Sequence, residues 1–344
     1  MTNPQPRAPI LQAQAIEAGY GRASRSGRIL HRVDLAVTPG QTVGVVGESG
    51  SGKSTLAKVL VGQLSPMGGS VLLAGDPLTT ARSRVMRNRR RLVQLVPQDP
   101  YSSLDPRMTV GRAIAEAIDP RRSSLGAHRQ RVNDLLEKVA LDASAADRLP
   151  HEFSGGQRQR IVIARALAAK PRVLVADEVT AALDSSVQAE VLNLLRSLQA
   201  DLGIGMVFIT HDLALARYLC TEIGVLYLGK MMEAGNMTVL DHPAHPYTRV
   251  LLDSVPDRKG TLLTNATPTL GADAVPDPAA PPPGCVFHPR CPVGPLVIPE
   301  RTRCATEAPS FDDIADGQRR VACHFPLRTE AVSGHQAPEP TNGH

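Results

Sequence analysis

Thr42-Val43-Gly44-Val45-Val46 has the pattern of a short buried strand, and it runs into Gly47-Glu48-Ser49-Gly50-Ser51-Gly52-Lys53-Ser54 and then the helical repeat Thr55-Leu56-Ala57-Lys58-Val59-Leu60. The middle segment fits the phosphate-binding pattern G-x4-G-K-[ST], which carries meaning only between a strand and a helix, where this one lies. Its glycines let successive backbone N–H groups face phosphate oxygens, and the helix N-terminus adds positive potential. Lys53 adds a full charge, and the Ser54 hydroxyl can ligate Mg2+.

Two further apolar strands, Arg172–Ala176 and Met206–Thr210, are separated by a helix predicted over Ser186–Ala200, where Val187, Val191, Leu194, Leu195 and Leu198 recur at helical spacing. Strands alternating with helices imply a parallel sheet and an α/β fold. The first of these strands ends in Asp177-Glu178, and two acids at an apolar strand tip are costly unless they meet a cation or a reaction. Asp177 is the candidate for Mg2+, and Glu178 for polarising the water that attacks a γ-phosphate. The second strand ends in His211-Asp212, expected at the same carboxyl edge of the sheet. Upstream, Leu11–Tyr20 and Ile29–Val37 read as an antiparallel pair joined through a turn over Gly21–Gly27. Residues 99–149 are polar and interrupted by proline, which predicts a helical insertion with helices over Val110–Ile118 and His128–Ala140.

Phe153-Ser154-Gly155-Gly156-Gln157-Arg158-Gln159-Arg160 opens another helix. Ser154 suits an N-cap, and the paired glycines leave N–H groups free at a helix N-terminus, a second anion site. Two such helix starts in one chain point to two nucleotides, or to one nucleotide shared between protomers. A plain capped helix accounts for Ser154 but not for the glycines and glutamine after it.

The 344 residues are 42% hydrophobic and 21% charged, enough for one large or two modest domains with a sizeable core. No apolar run reaches the roughly eighteen residues that a membrane-spanning helix needs. Met1–Gln14 lacks the charged-then-apolar order of a secretory signal, so a cytoplasmic chain with reduced thiols is expected. The net charge of +5 permits an acidic partner or a membrane surface without demanding either. Aromatics are 3% with no Trp, a poor basis for stacking nucleic-acid bases. Six arginines between Arg82 and Arg91 lack interleaved aromatics and read as a solvated basic helix rather than a nucleic-acid site.

Taken in order over about residues 11–245, these segments resemble the ATP-binding subunit of ABC transporters. The matching motifs are Tyr20 (the adenine-stacking aromatic), Gly47–Thr55 (Walker A) and Gln98 (Q-loop). They continue with Ser154–Gln157 (signature), Asp177-Glu178 (Walker B), Ala182-Leu183-Asp184 (D-loop) and His211 (switch histidine). The resemblance implies a P-loop NTPase (RecA-like) core with an antiparallel β subdomain and a helical subdomain over about residues 99–166. It places ATP on Gly47, Glu48, Ser49, Gly50, Ser51, Gly52, Lys53, Ser54 and Thr55, and Mg2+ on Ser54, Gln98 and Asp177. Catalysis falls to Glu178, with Gln98 and His211 sensing the γ-phosphate. In a head-to-tail dimer, Ser154, Gly155, Gly156, Gln157 and Asp184 of one chain close on the ATP of the other. Val179 and Ala181 stand where the family usually has proline and serine, and neither change removes a ligand.

The phrases QDPYSSLDPR from Gln98, HEFSGGQRQRI from His151, LYLGKMMEAG from Leu226 and HPAHPYTRVLLDSVP from His242 resemble the oligopeptide/dipeptide/nickel importer branch. In that branch the tail often carries four cysteines on an iron–sulfur cluster. Here they are Cys285, Cys291, Cys304 and Cys323, with twelve residues between the second and third, a wider gap than the family's. Four soft ligands suit [4Fe–4S] or Zn2+ by count, and free structural thiols are the third reading; Cys220 reads as a buried thiol. The expected organisation is a nucleotide-binding domain over 1–245, a cysteine-containing C-terminal extension over 246–328 and a disordered tail over 329–344.

The resemblance implies an ATPase motor, peripheral on the cytoplasmic face of the membrane, driving uptake of di- or oligopeptides or a related solute. Its partners would be two integral-membrane permease subunits, a second ABC ATPase subunit (the same chain or another) and an extracytoplasmic solute-binding protein, with no nucleic acid. Motors for nickel, metal chelators or glutathione share these motifs. A soluble ABC ATPase acting on ribosomes or DNA would typically fuse two nucleotide-binding domains or insert a long coiled coil. An exporter motor is disfavoured by the importer-type tail.

Overall fold

The computed structural model describes residues 8–20, 27–78, 83–254, 276–277, 280–314, 317 and 319–327. Most of the turn read over Gly21–Gly27, Arg82, residues 255–275 and the tail from Thr329 lie outside the described residues. Strands β1 (Leu11–Gly19) and β2 (Arg28–Val37) pair antiparallel, and β3 (Thr42–Val46) leads through the glycine loop into α1 (Lys53–Leu60). β4 (Gly68–Leu73) and β5 (Asp76–Pro77) return to the first pair and complete a four-stranded sheet in the order β2-β1-β4-β5. The arginine run forms α2 (Arg84–Arg91) ahead of β6 (Val93–Val96), and α3 (Val110–Ile118), α4 (Leu125–Lys138) and α5 (Gly155–Ala168) follow. Next come β7 (Val173–Asp177), α6 (Ser185–Leu202), β8 (Gly205–Thr210) and α7 (Leu213–Leu219). The hairpin β9 (Glu222–Tyr227) and β10 (Lys230–Asn236) precedes α8 (Thr238–Asp241) and α9 (Pro246–Asp253). The cysteine-bearing segment adds α10 (Arg303–Thr306), β11 (Asp312–Asp313) and β12 (Arg319–Val321).

The main sheet runs β11-β12-β10-β9-β3-β8-β7-β6. Its strands from β9 to β6 are parallel, whereas β10 and β12 extend it antiparallel. β3, β7 and β8 are buried along their whole length, as strands covered on both faces must be. Alternation in β8 shows the two layers: Met206 and Phe208 face a core shared with α3, α4, α5 and α6, and Val207 and Ile209 face a core shared with β1, β2 and α1. Parallel register sets Val46 beside Thr210, and Asp177 beside Ile209, so the tips of β3, β7 and β8 open onto one edge, where ligands bind in such sheets.

The predicted elements recur with small shifts: β7 reaches Asp177, and α4 begins at Leu125 rather than His128. Sequence reading missed β4, β6 and the β9–β10 hairpin. That hairpin turns through Leu228 and Gly229 at φ 42° and 70°, the left-handed pair a two-residue type I′ turn requires. Among the described residues, no helix is long and apolar enough to cross a membrane.

Candidate nucleotide and catalytic site

The glycine loop is braced from beneath. Gly52, at φ 104°, caps α1, and a Cβ there would sit 2.9 Å from Leu30 Cδ2. The turn glycine, Gly229, donates its N–H to Ser51 O at 2.8 Å. Lys53 lies folded over the loop, donating to the carbonyls of Gly47 and Glu48, each at 2.8 Å. Burial lowers its pKa, and the carboxylates of Glu178, Asp177 and Glu48 oppose that shift.

Asp177 is buried and receives a hydrogen bond from the Ser54 side chain, while its Oδ1 has no hydrogen-bond partner among the described residues. Burial raises its pKa; the Ser54 bond opposes the rise, and the neighbouring Glu178 charge adds to it. An unpartnered buried carboxylate oxygen beside a hydroxyl is an oxygen donor set that fits Mg2+.

Glu178 follows in the left-handed region at φ 47°, where a non-glycine residue is strained, and its N–H donates to Ile209 O at 3.0 Å. Its Oε1 lies 3.5 Å from His211 Nδ1 and 3.7 Å from Lys53 Nζ, and its Oε2 accepts from Gln98 Nε2 at 3.0 Å. Gln98, His211 and Lys53, read separately from three parts of the sequence, thus meet on one carboxylate. Tyr20 sits just past β1, 49% exposed, with Lys58 Nζ 3.2 Å from its hydroxyl and 5.5 Å from its ring centre, leaving an aromatic face open.

The signature segment lies elsewhere on the chain's surface and is tied to α6. Ser154 and Gln157 form a capping box: Gln157 N–H donates to Ser154 Oγ at 3.3 Å, and Ser154 N–H to Gln157 Oε1 at 3.1 Å. A Cβ on Gly156 would fall 2.2 Å from Val187 Cγ1, so that glycine also lets α5 and α6 touch. Asp184 caps α6, accepting from Val187 N–H at 3.0 Å and Ser186 Oγ at 2.7 Å. The glutamine and second glycine that sequence reading set beyond a plain capped helix therefore also serve capping and packing.

A family model described as ABC transporter matches residues 30–181, and one described as Oligopeptide/dipeptide transporter, C-terminal region, matches residues 232–294. A Sinorhizobium fredii protein named as a probable peptide ABC transporter ATP-binding protein is 43% identical over 94% of this chain and 89% of its own. The chain belongs to the ATP-binding subunits of peptide-type ABC importers. It is the ATP-binding and ATP-hydrolysing motor subunit of such an importer, and its Walker A loop fits ATP with Mg2+. Among solved structures, cbiO1 of Clostridium perfringens, part of the ABC transporter complex cbiONQ, superposes with a TM-score of 0.59 at 28% identity over 66% of this chain and 88% of that one. A dimeric ATP-binding cassette in a post-hydrolysis state bound to ADP and Pi gives 0.58 at 28% identity, over 66% and 98%.

The importer ATPase's C-terminal extension leaves one expectation without support. All four of its cysteines are free thiols, and Cys323 lies within electrostatic reach of Cys285, Cys291 and Cys304. Even so, no group of three or more His, Cys, Asp or Glu side chains that could hold a metal ion forms among the described residues. The structure gives no support to the [4Fe–4S] or zinc reading. The twelve-residue gap is wound into successive turns, from Gly294 O to Ile298 N–H and from Arg301 O to Cys304 N–H. Burial pushes Cys291 up to about 11 and Cys323 to about 12, which keeps both protonated at neutral pH.

Sequence reading also missed Arg290, Tyr247 and Glu233. Tyr247 and Glu233 lie in phrases read as family-like, but the partner of Arg290 and Tyr247, Glu48, lies far away in the chain, and Glu233 meets Ala244 and His245 only through the fold beyond α8.

Proposed function

We propose that ATP lies along Gly47–Thr55 with its adenine against Tyr20, and that Glu178 is the general base of hydrolysis. The convergence of Gln98, His211 and Lys53 on the Glu178 carboxylate supports this reading. A water oxygen forms a bond to the γ-phosphorus as the bond to the β–γ bridging oxygen breaks; ADP leaves with that electron pair, and Glu178 takes the water's proton. His211 and Gln98 orient the carboxylate and report on the γ-phosphate, while Lys53 shifts its charge from the loop carbonyls to the phosphates. Ser54, Asp177 and Gln98 would hold Mg2+, which neutralises charge on the β- and γ-phosphates when bound. Ser154, Gly155, Gly156, Gln157 and Asp184 face a second ATPase chain and close on its nucleotide.

The nucleotide-binding domain ends near residue 245, with a helical subdomain over about 99–166, and the extension follows. The motor sits at the cytoplasmic face of the membrane on two integral-membrane permease subunits, with a second ATPase chain and an extracytoplasmic solute-binding protein. The permease and binding protein choose among di- and oligopeptides or related solutes. No step runs through the four cysteines. Affinity purification of the full chain from detergent-solubilised native membranes tests the assembly: two multi-span subunits and a second ATPase are expected, and recovery with ribosomal or DNA-repair proteins alone would overturn it. For the chemistry, His211→Ala should lower phosphate release at least about tenfold while ATP binding persists. Unchanged release would remove His211 from this role.

A further inference from the structure

Glu48, the second residue of the phosphate loop, is held from three sides. Its carbonyl accepts Lys53 Nζ at 2.8 Å, and its N–H donates to the Tyr247 hydroxyl at 3.0 Å. Its carboxylate receives a two-pronged ion pair from Arg290, Nη1 to Oε2 at 2.8 Å and Nη2 to Oε1 at 3.1 Å. Tyr247 and Arg290 stand 199 and 242 residues away in the chain, both within the extension.

Both are set firmly. Tyr247 is fully buried, its ring 4.6 Å from Tyr227 and 5.2 Å from Phe287. Glu233, also fully buried, accepts the N–H groups of Ala244 at 2.8 Å and His245 at 2.9 Å, fixing the start of the helix that carries Tyr247. The Arg290 side chain is 10% exposed, and its Nη1 also reaches the Tyr227 hydroxyl at 3.3 Å. A planar two-pronged pair fixes direction as well as charge.

The charge matters because the Glu48 carboxylate acts electrostatically on Lys53. Left unpaired, it would compete with phosphate for that lysine and repel the phosphates themselves. We propose that Arg290 and Tyr247 are positioning residues through which the extension sets ATP affinity, Arg290 by neutralising Glu48 and Tyr247 by fixing its backbone. This rests on the reading of the loop as the ATP site.

The test is ATP binding and steady-state hydrolysis by the full chain with Mg2+, in wild type, Arg290→Gln, Arg290→Lys and the double variant Glu48→Gln/Arg290→Gln. Arg290→Gln should raise the Kd and KM for ATP about tenfold and move kcat less. Arg290→Lys, keeping the charge without the fork, should fall between. The double variant should recover most of the lost affinity, because no unpaired carboxylate remains. A merely structural role for the ion pair predicts no recovery, since both variants lack the pair; thermal unfolding of each establishes that it is folded. Wild-type affinity in folded Arg290→Gln, or a double variant as weak as the single, overturns the inference alone. A wild-type chain that binds no ATP overturns the loop reading and the inference with it.

Discussion

Glu178→Gln preserves shape and removes one charge. Glutamine at this position can still accept from Gln98, 3.0 Å away, but it cannot take a proton from water. Loss of a positioned general base lowers the chemical step by about 10²–10⁴-fold, and at about 1.4 kcal/mol per decade that is roughly 3–6 kcal/mol of transition-state stabilisation. Binding should move the other way. The carboxylate lies 3.7 Å from Lys53 Nζ, a gross attraction of about 4 kcal/mol at an effective dielectric constant near 20. Neutralising it releases the lysine for the phosphates and removes an anion that faces them. Phosphate release from the full chain, alongside calorimetric titration with ATP and Mg2+, should show a collapse in kcat with a Kd equal to or lower than wild type. Wild-type turnover would refute the base assignment. A Kd weakened as much as kcat would show that Glu178 supports the loop rather than the chemistry.

Proton competition should govern Mg2+ at Asp177. Burial raises its pKa, so Mg2+ affinity, which needs the carboxylate, should fall with decreasing pH from a point above the ordinary aspartate range of about 4; Asp177→Asn should bind weakly and lose that pH dependence in Mg2+ titrations. Gly156→Ala sets a methyl 2.2 Å from Val187 Cγ1 and should cost about 1–3 kcal/mol in thermal unfolding, with Val187→Ala restoring part of it. A Gly156→Ala chain as stable as wild type would refute the packing role. Glu233→Gln offers one acceptor oxygen where two N–H groups wait, so one buried donor loses its partner at about 1–3 kcal/mol; a melting temperature equal to wild type would contradict this.

The nucleotide core was legible because its signals are local. β3, the glycine loop and α1 lie consecutively, and the acids at the tip of β7 betray themselves as polar residues closing an apolar strand. β6 spans only Val93–Val96 between an arginine helix and Pro97, too short for its alternation to outweigh a helical reading. In the signature, sequence reading gave Gln157 and Gly156 wholly to anion binding, whereas their intrachain partners are Ser154 and Val187. The Arg290–Glu48 pair joins residues 242 apart, and no local pattern encodes such a partnership. The cysteines were recognisable as a set, but spacing says nothing of how the chain between them winds.

β12 adds its three residues to the flank of β10, pairing Glu233 with Val321, Ala234 with Arg320 and Gly235 with Arg319. Without that short strand, β10 would present a row of unpaired N–H and C=O groups, the template on which separate chains aggregate edge to edge. Cutting the chain before Arg319 would bare this rim, and the truncated chain is expected to aggregate more readily than the full one.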